Sequence, residues 1–157
     1  MNAKQMKKVL IAIDYDPTSQ KVAETGFAMA EAMGAEVTLL HVMVSPAMYD
    51  LAYANMGAWQ IDTIDTAEGI EIIKTGSHNF LEKAKKHLGA KTIKTIQKEG
   101  DSAQMILQTA TEIHADCIVM GTHSQKWLEN ILMGSVTEEV LRKTTVPMFI
   151  VPTKKRD

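Results

Sequence analysis

GTHSQKWLENILMGS, running from Gly121 to Ser135, places glycines near both ends of a stretch that holds Trp127, Leu128, Ile131, Leu132 and Met133. It follows the apolar run CIVM (Cys117 to Met120) directly and leads straight into SVTEEVLRK. A short buried run closed by glycine reads as a strand that ends where a side chain would obstruct a close approach. SVTE has the form of a capping box, with the Ser135 hydroxyl serving one orphan amide and Glu138 reaching back to another. The passage therefore ends a strand and begins the last helix, and its meaning depends on what the rest of the chain builds around it.

Working outward, short continuous apolar runs alternate with longer helical patterns. The runs are VLIAI (Val9 to Ile13), VTLLHVMV (Val37 to Val44), the weaker TIKTIQ (Thr92 to Gln97), CIVM and MFIV (Met148 to Val151). Between them, helical spacing predicts helices over 18–33, 65–88 and 102–114, then one from Ser135. Gly34 and Gly89 stop the first two, and Asp101 is a candidate N-cap for the third. This alternation is the pattern of repeated βαβ units, and it defines an α/β domain with an open parallel sheet covered by helices on both faces. TIKTIQ is the least apolar run, and MFIV lies between Pro147 and Pro152, so both suit positions near the sheet edges. A chain of 157 residues is the size of one domain.

Right-handed crossovers allow the first and fourth strands to become neighbours where the winding reverses, and open α/β sheets bind ligands at such a switch point. Asp14 then lies on one side of the crevice and Gly121 on the other. Gly121 would admit a ligand close to the backbone, and Gly134 precedes a helix start whose amides and dipole favour an anion. Ser135 and Thr137 offer hydroxyl donors. A phosphate-bearing ligand fits this arrangement. Spacing alone leaves open that the two glycines only make turns.

Composition excludes several classes. A net charge of −2 with a pI near 6.2 gives no footprint for nucleic acid or an anionic membrane. No stretch approaches the ~20 apolar residues that span a bilayer, and the start has no cleavage-site pattern, so a soluble cytoplasmic protein is expected. The single cysteine, Cys117, falls in an apolar run and reads as a buried small hydrophobe. His41 reads as a core histidine, His114 as a helix-end residue, and His78 and His87 as members of a polar helix surface without a ligand cluster. Asp14 and Asp16 could suggest a phospho-acceptor domain, but the third strand ends without an aspartate; the turn DYDPTSQ lacks the glycine of a flavin phosphate loop.

At these residues the chain resembles the universal stress proteins, in particular their ATP-binding branch with its pattern G-x2-G-x9-G-[ST]. Gly121, Gly134 and Ser135 fall in register, and Ser124 replaces the second glycine. ADCIVMGTHS, ILMGSVTEEVLRKTTVPMFIVP, KKVLIAIDYD and VTLLHV extend the likeness over nearly all of 1–157, leaving 45–64 as a variable insertion that reads as a cover or dimer contact. The resemblance implies a five-stranded parallel sheet in the order 3-2-1-4-5 and a homodimer, often formed through the last strand. It also implies an adenine nucleotide, ATP or ADP or AMP, with or without Mg²⁺. Adenine would lie near Ala12 and Val42, and Asp14 beside the ribose or a bound cation. Met120, Gly121, Thr122, His123, Ser124, Gly134, Ser135 and Val136 would surround the phosphates, with Lys126 and His123 as the loop's positive charge.

Three functions are open at this point. A nucleotide-binding regulator of a stress response is expected over a slow ATPase or phosphoryl or nucleotidyl transferase, because phosphoryl transfer needs a placed metal, an oriented nucleophile and positive charge. The chain offers Asp14 as one metal partner and no Gly-Lys-Ser/Thr loop. A protein-interaction module that has lost nucleotide is the third reading, made plausible by Ser124.

Overall fold

The computed structural model describes residues 4–43, 67–122 and 133–153. Its elements are β1 (Lys8–Ala12), α1 (Ser19–Ala32), β2 (Glu36–Met43), α2 (Ala67–Leu88), β3 (Lys94–Glu99), α3 (Ser102–Glu112), β4 (Cys117–Gly121), α4 (Ser135–Lys143) and β5 (Met148–Val151). All strands are parallel, in the order β3-β2-β1-β4-β5. The weak run and the proline-bracketed run are the two edges, as their composition requires.

Alternation along β1 divides the core. Val9, Ile11 and Ile13 point to the face covered by α1 and α2, where they join Val22, Ala30, Leu39, Leu81 and Val119. Leu10 points to the opposite face with Leu40, Ile106, Ile118 and Val140, beneath α3 and α4. Both faces are buried, so the central strands read as continuous apolar runs rather than alternating ones. At the strand entrances, Asp116 accepts from the Lys7 and Lys8 amides at 2.9 and 3.1 Å and pairs with Lys4 Nζ at 2.9 Å. The Lys4 contact and these amides hold the carboxyl down at about 2.

Some boundaries differ from those expected. β3 starts two residues later than TIKTIQ and runs through Lys98 and Glu99, which pair with Val42 and Met43. An edge strand can carry charge on its open side, so hydropathy missed its last two residues. Helix α3 stops at Glu112, with Ile113 as C-cap, and His114 follows at φ 54°. The Ala115 amide reaches Ala110 O and the His114 amide reaches Thr111 O, a Schellman closure. Gly34 and Gly89 hold the matching left-handed positions, at φ 65° and 75°. His114 alone of the three carries a Cβ there, so His114→Gly should stabilise the domain by up to about 1 kcal/mol, relief of the Cβ clash outweighing glycine's chain entropy. That corresponds to a thermal midpoint raised by about 2–4 °C. A lower midpoint would show that the imidazole makes a stabilising contact.

Candidate functional site

The winding reverses between β1 and β4, and an open cleft with about 710 Å³ of empty space, solvent included, lies beyond their carboxyl ends. Its first wall comes from the end of β1 and the turn into α1. Asp14 Oδ1 accepts the Ser19 hydroxyl at 2.8 Å and the Asp16 amide at 2.9 Å, and the Asp14 amide donates back to Ser19 Oγ at 3.1 Å. Asp16 Oδ1 in turn accepts the Thr18 amide and hydroxyl at 2.8 and 2.7 Å. This lattice fixes the turn and leaves the second Asp14 oxygen without a partner among the described residues.

Behind the turn, Tyr15 packs against His41 and Phe80 with ring centroids 4.6 and 4.9 Å apart. His41 is buried and its Nδ1 lies 2.6 Å from Ser77 Oγ. Burial pulls the His41 pKa below the ordinary histidine value, with the Asp14 charge opposing in part, so the ring is neutral at pH 7. It is a core histidine, as expected, and does not line the cleft.

The second wall is the end of β4 and the start of α4, and here four expectations are corrected. Gly121 lines the cleft, but its missing side chain serves packing: a Cβ there would lie 2.9 Å from Val22 Cγ2 and 3.0 Å from Thr153 Cγ2. The backbone just past β4 is also not open. The Thr122 amide donates to Val151 O at 3.1 Å and the Gly134 amide to Thr122 O. The Thr137 hydroxyl, expected to face a ligand, donates to Gly121 O at 2.8 Å.

The fourth correction concerns the capping box. Gly134 is the N-cap, at φ −65° and ψ 156°, and no side chain caps the helix. Ser135 is the first helical residue and is exposed, and Glu138 pairs with Arg142 instead of reaching back. A serine one position inside the helix cannot present its hydroxyl to the N3 amide, so the box pattern fails geometrically. The consequence is chemical. The amides of Ser135, Val136 and Thr137 have no acceptor among the described residues, and they border the cleft at the positive end of the helix dipole.

The opposite end of the cleft is apolar. Ala12, Leu40, Val42, Ile106 and Met120 line it, together with Ser102 at the first position of α3. Among the expected residues, Ala12, Asp14, Val42, Met120, Gly121, Gly134, Ser135, Val136 and Thr137 all border this one cleft. Thr122 is adjacent, tied to Thr153 through hydroxyls 2.9 Å apart. His123, Ser124 and Lys126 lie outside the described residues. Ser102, Ile106, Thr18 and Ser19 were missed, although a helix that follows a parallel strand must begin at the sheet's carboxyl edge, and Asp101 marked that beginning. Among the described residues no group of three histidine, cysteine or carboxylate side chains could hold a metal ion. No helix among them is long and apolar enough to cross a membrane.

The fold and cleft define a doubly wound α/β domain with an open crevice at its switch point. The chain belongs to the universal stress protein family, whose model matches residues 6–152. Universal stress protein MJ0531 of Methanocaldococcus jannaschii is 32% identical over 155 residues, covering 96% of this chain and 85% of the relative. The solved structure of hypothetical protein MJ0577 has a TM-score of 0.73 at 26% identity, covering 98% of this chain and all of the other. Two further structures share the fold at 19% identity. One is a universal stress protein in complex with cAMP (TM-score 0.65, 96% of this chain and 100% of that one), and the other is the Archaeoglobus fulgidus protein in complex with dAMP (0.57, 94% and 98%).

Proposed function

We propose that this chain binds an adenine nucleotide in the switch-point cleft and acts as a nucleotide-responsive regulator of a stress response. The observation that carries the reading is the set of open amides at Ser135, Val136 and Thr137 facing a cleft whose far end is apolar. A phosphate would take the amides, with the helix dipole adding to the attraction, and the base would take the apolar end. Two relatives of the same fold crystallised with cAMP and dAMP support an adenine ligand.

Among the described lining residues Asp14 is the one charged side chain, so the walls in view suit a ligand of low charge as well as a triphosphate. Magnesium, where ATP is the ligand, would arrive on the phosphates and find a single carboxylate oxygen on Asp14, since that ion is commonly held by one or two carboxylates plus phosphate. Homodimerisation through the β5 edge and a cytoplasmic location belong to the same proposal.

Calorimetry with AMP, ADP and ATP–Mg²⁺ on the purified chain tests it. Saturable binding is expected for at least one of them, with ATP intact after hours of incubation. Absence of heat with all three would refute the nucleotide reading, and steady ATP turnover lost in Asp14→Ala would identify an enzyme instead.

A further inference from the structure

We infer that the Ser102 hydroxyl hydrogen-bonds the polar edge of the bound base, an inference that rests on the nucleotide reading above. Serine at the start of a helix ordinarily caps it. Ser102 is free of that duty, because Asp101 Oδ1 already accepts the Gln104 amide at 2.9 Å. Its side chain is half-buried, borders the cleft, and has no hydrogen-bond partner among the described residues.

Its surroundings make the hydroxyl consequential. At the β2 and α3 end the described lining consists of Leu40, Val42, Ile106 and Ser102, so this hydroxyl is the one polar side chain there among the described residues. A purine entering an apolar slot loses water from its ring nitrogens and exocyclic group, and leaving them unpaired is costly. A serine hydroxyl can either donate or accept, so it suits whichever edge atom reaches it.

The sheet supplies the ruler. Val42 lies on β2, the α4 start adjoins the end of β4 where the Thr137 hydroxyl donates to Gly121 O, and β1 runs between the two strands. Two strand spacings amount to about 10 Å, a span that suits the distance from a nucleotide's phosphate to its base. A phosphate on the α4 amides therefore delivers the base, rather than the sugar, to Ser102.

Calorimetric titration of the wild type, Ser102→Ala and Ser102→Thr with AMP and with ribose 5-phosphate tests this. Ser102→Ala should bind AMP about two- to tenfold more weakly, the worth of one hydrogen bond, and ribose 5-phosphate unchanged. Ser102→Thr, which keeps the hydroxyl, should match the wild type. Unaltered AMP affinity in Ser102→Ala, or equal loss for both probes, would overturn the inference while leaving the phosphate site standing. A wild type that binds neither probe would overturn the nucleotide reading and this inference with it.

Discussion

Gly26→Val should lower the stability of the domain by about 3 kcal/mol, the upper part of the usual range for overpacking a core. Gly26 lies in the middle of α1, where a glycine ordinarily weakens the helix relative to alanine. It is there because α1 rests on the sheet at this point. A Cβ would lie 2.9 Å from Ile11 Cδ1 and 3.0 Å from Val119 Cγ1, and both of those side chains are fully buried on β1 and β4. Neither can move without displacing further core residues, because interiors are close-packed. For a chain of this length the loss corresponds to a thermal midpoint lowered by roughly 6–12 °C. Thermal unfolding followed by circular dichroism measures it. A midpoint within 2 °C or so of the wild type would show that the helix can lift from the sheet at little cost. β1 and β4 also frame the switch point, so the same variant should bind nucleotide more weakly even at temperatures where it is folded.

The second large effect is expected at Ser135, and it separates binding from folding. Ser135→Pro removes one of the three open amides. Proline is favoured at the first helical position, where the missing N–H forms no bond in the helix and the fixed φ suits it. The preceding residue must be extended, and Gly134 already is, at φ −65° and ψ 156°. Folding stability should therefore be kept or slightly raised. Affinity for AMP should fall about tenfold or more, since a hydrogen bond to a charged group is worth about 1.5–3 kcal/mol. Ser135→Ala, which loses the hydroxyl and keeps the amide, should bind nearly as the wild type does. A proline variant with undiminished affinity would place the phosphate elsewhere, and an alanine variant with the larger loss would make the hydroxyl the contact.

The architecture was legible because it rests on patterns that many residues share. Five apolar runs separated by helical spacing allow few arrangements once crossovers are right-handed, and edge strands betray themselves by the low apolar content of TIKTIQ or by proline at Pro147 and Pro152. The reversal of winding named Asp14, Gly121, Gly134, Ser135 and Thr137 in advance, while Ala12, Val42, Met120 and Val136 came only from the family resemblance. What was not legible turned on single hydrogen bonds. Whether Ser135 caps the last helix or stands one position inside it depends on one residue of register, and the pattern SVTE is the same in both cases. Gly121 was read as room for a ligand, but the atoms it spares belong to Val22 and Thr153, which lie 99 and 32 residues away in sequence and meet it only in the fold. Thr137 was read as a donor to ligand because nothing local revealed that Gly121 O would lie 2.8 Å from its hydroxyl. Ser102 escaped notice for the converse reason. A serine after Asp101 looks like part of a cap, and only the bond from the Gln104 amide to Asp101 shows which of the two does that work.

An amide-resolved titration of the wild-type chain with AMP bears most directly on where the phosphate sits. The Ser135, Val136 and Thr137 amide resonances should shift saturably and together, with one dissociation constant that agrees with calorimetry. Saturable AMP binding that leaves those three resonances in place would contradict a phosphate held at the start of the last helix.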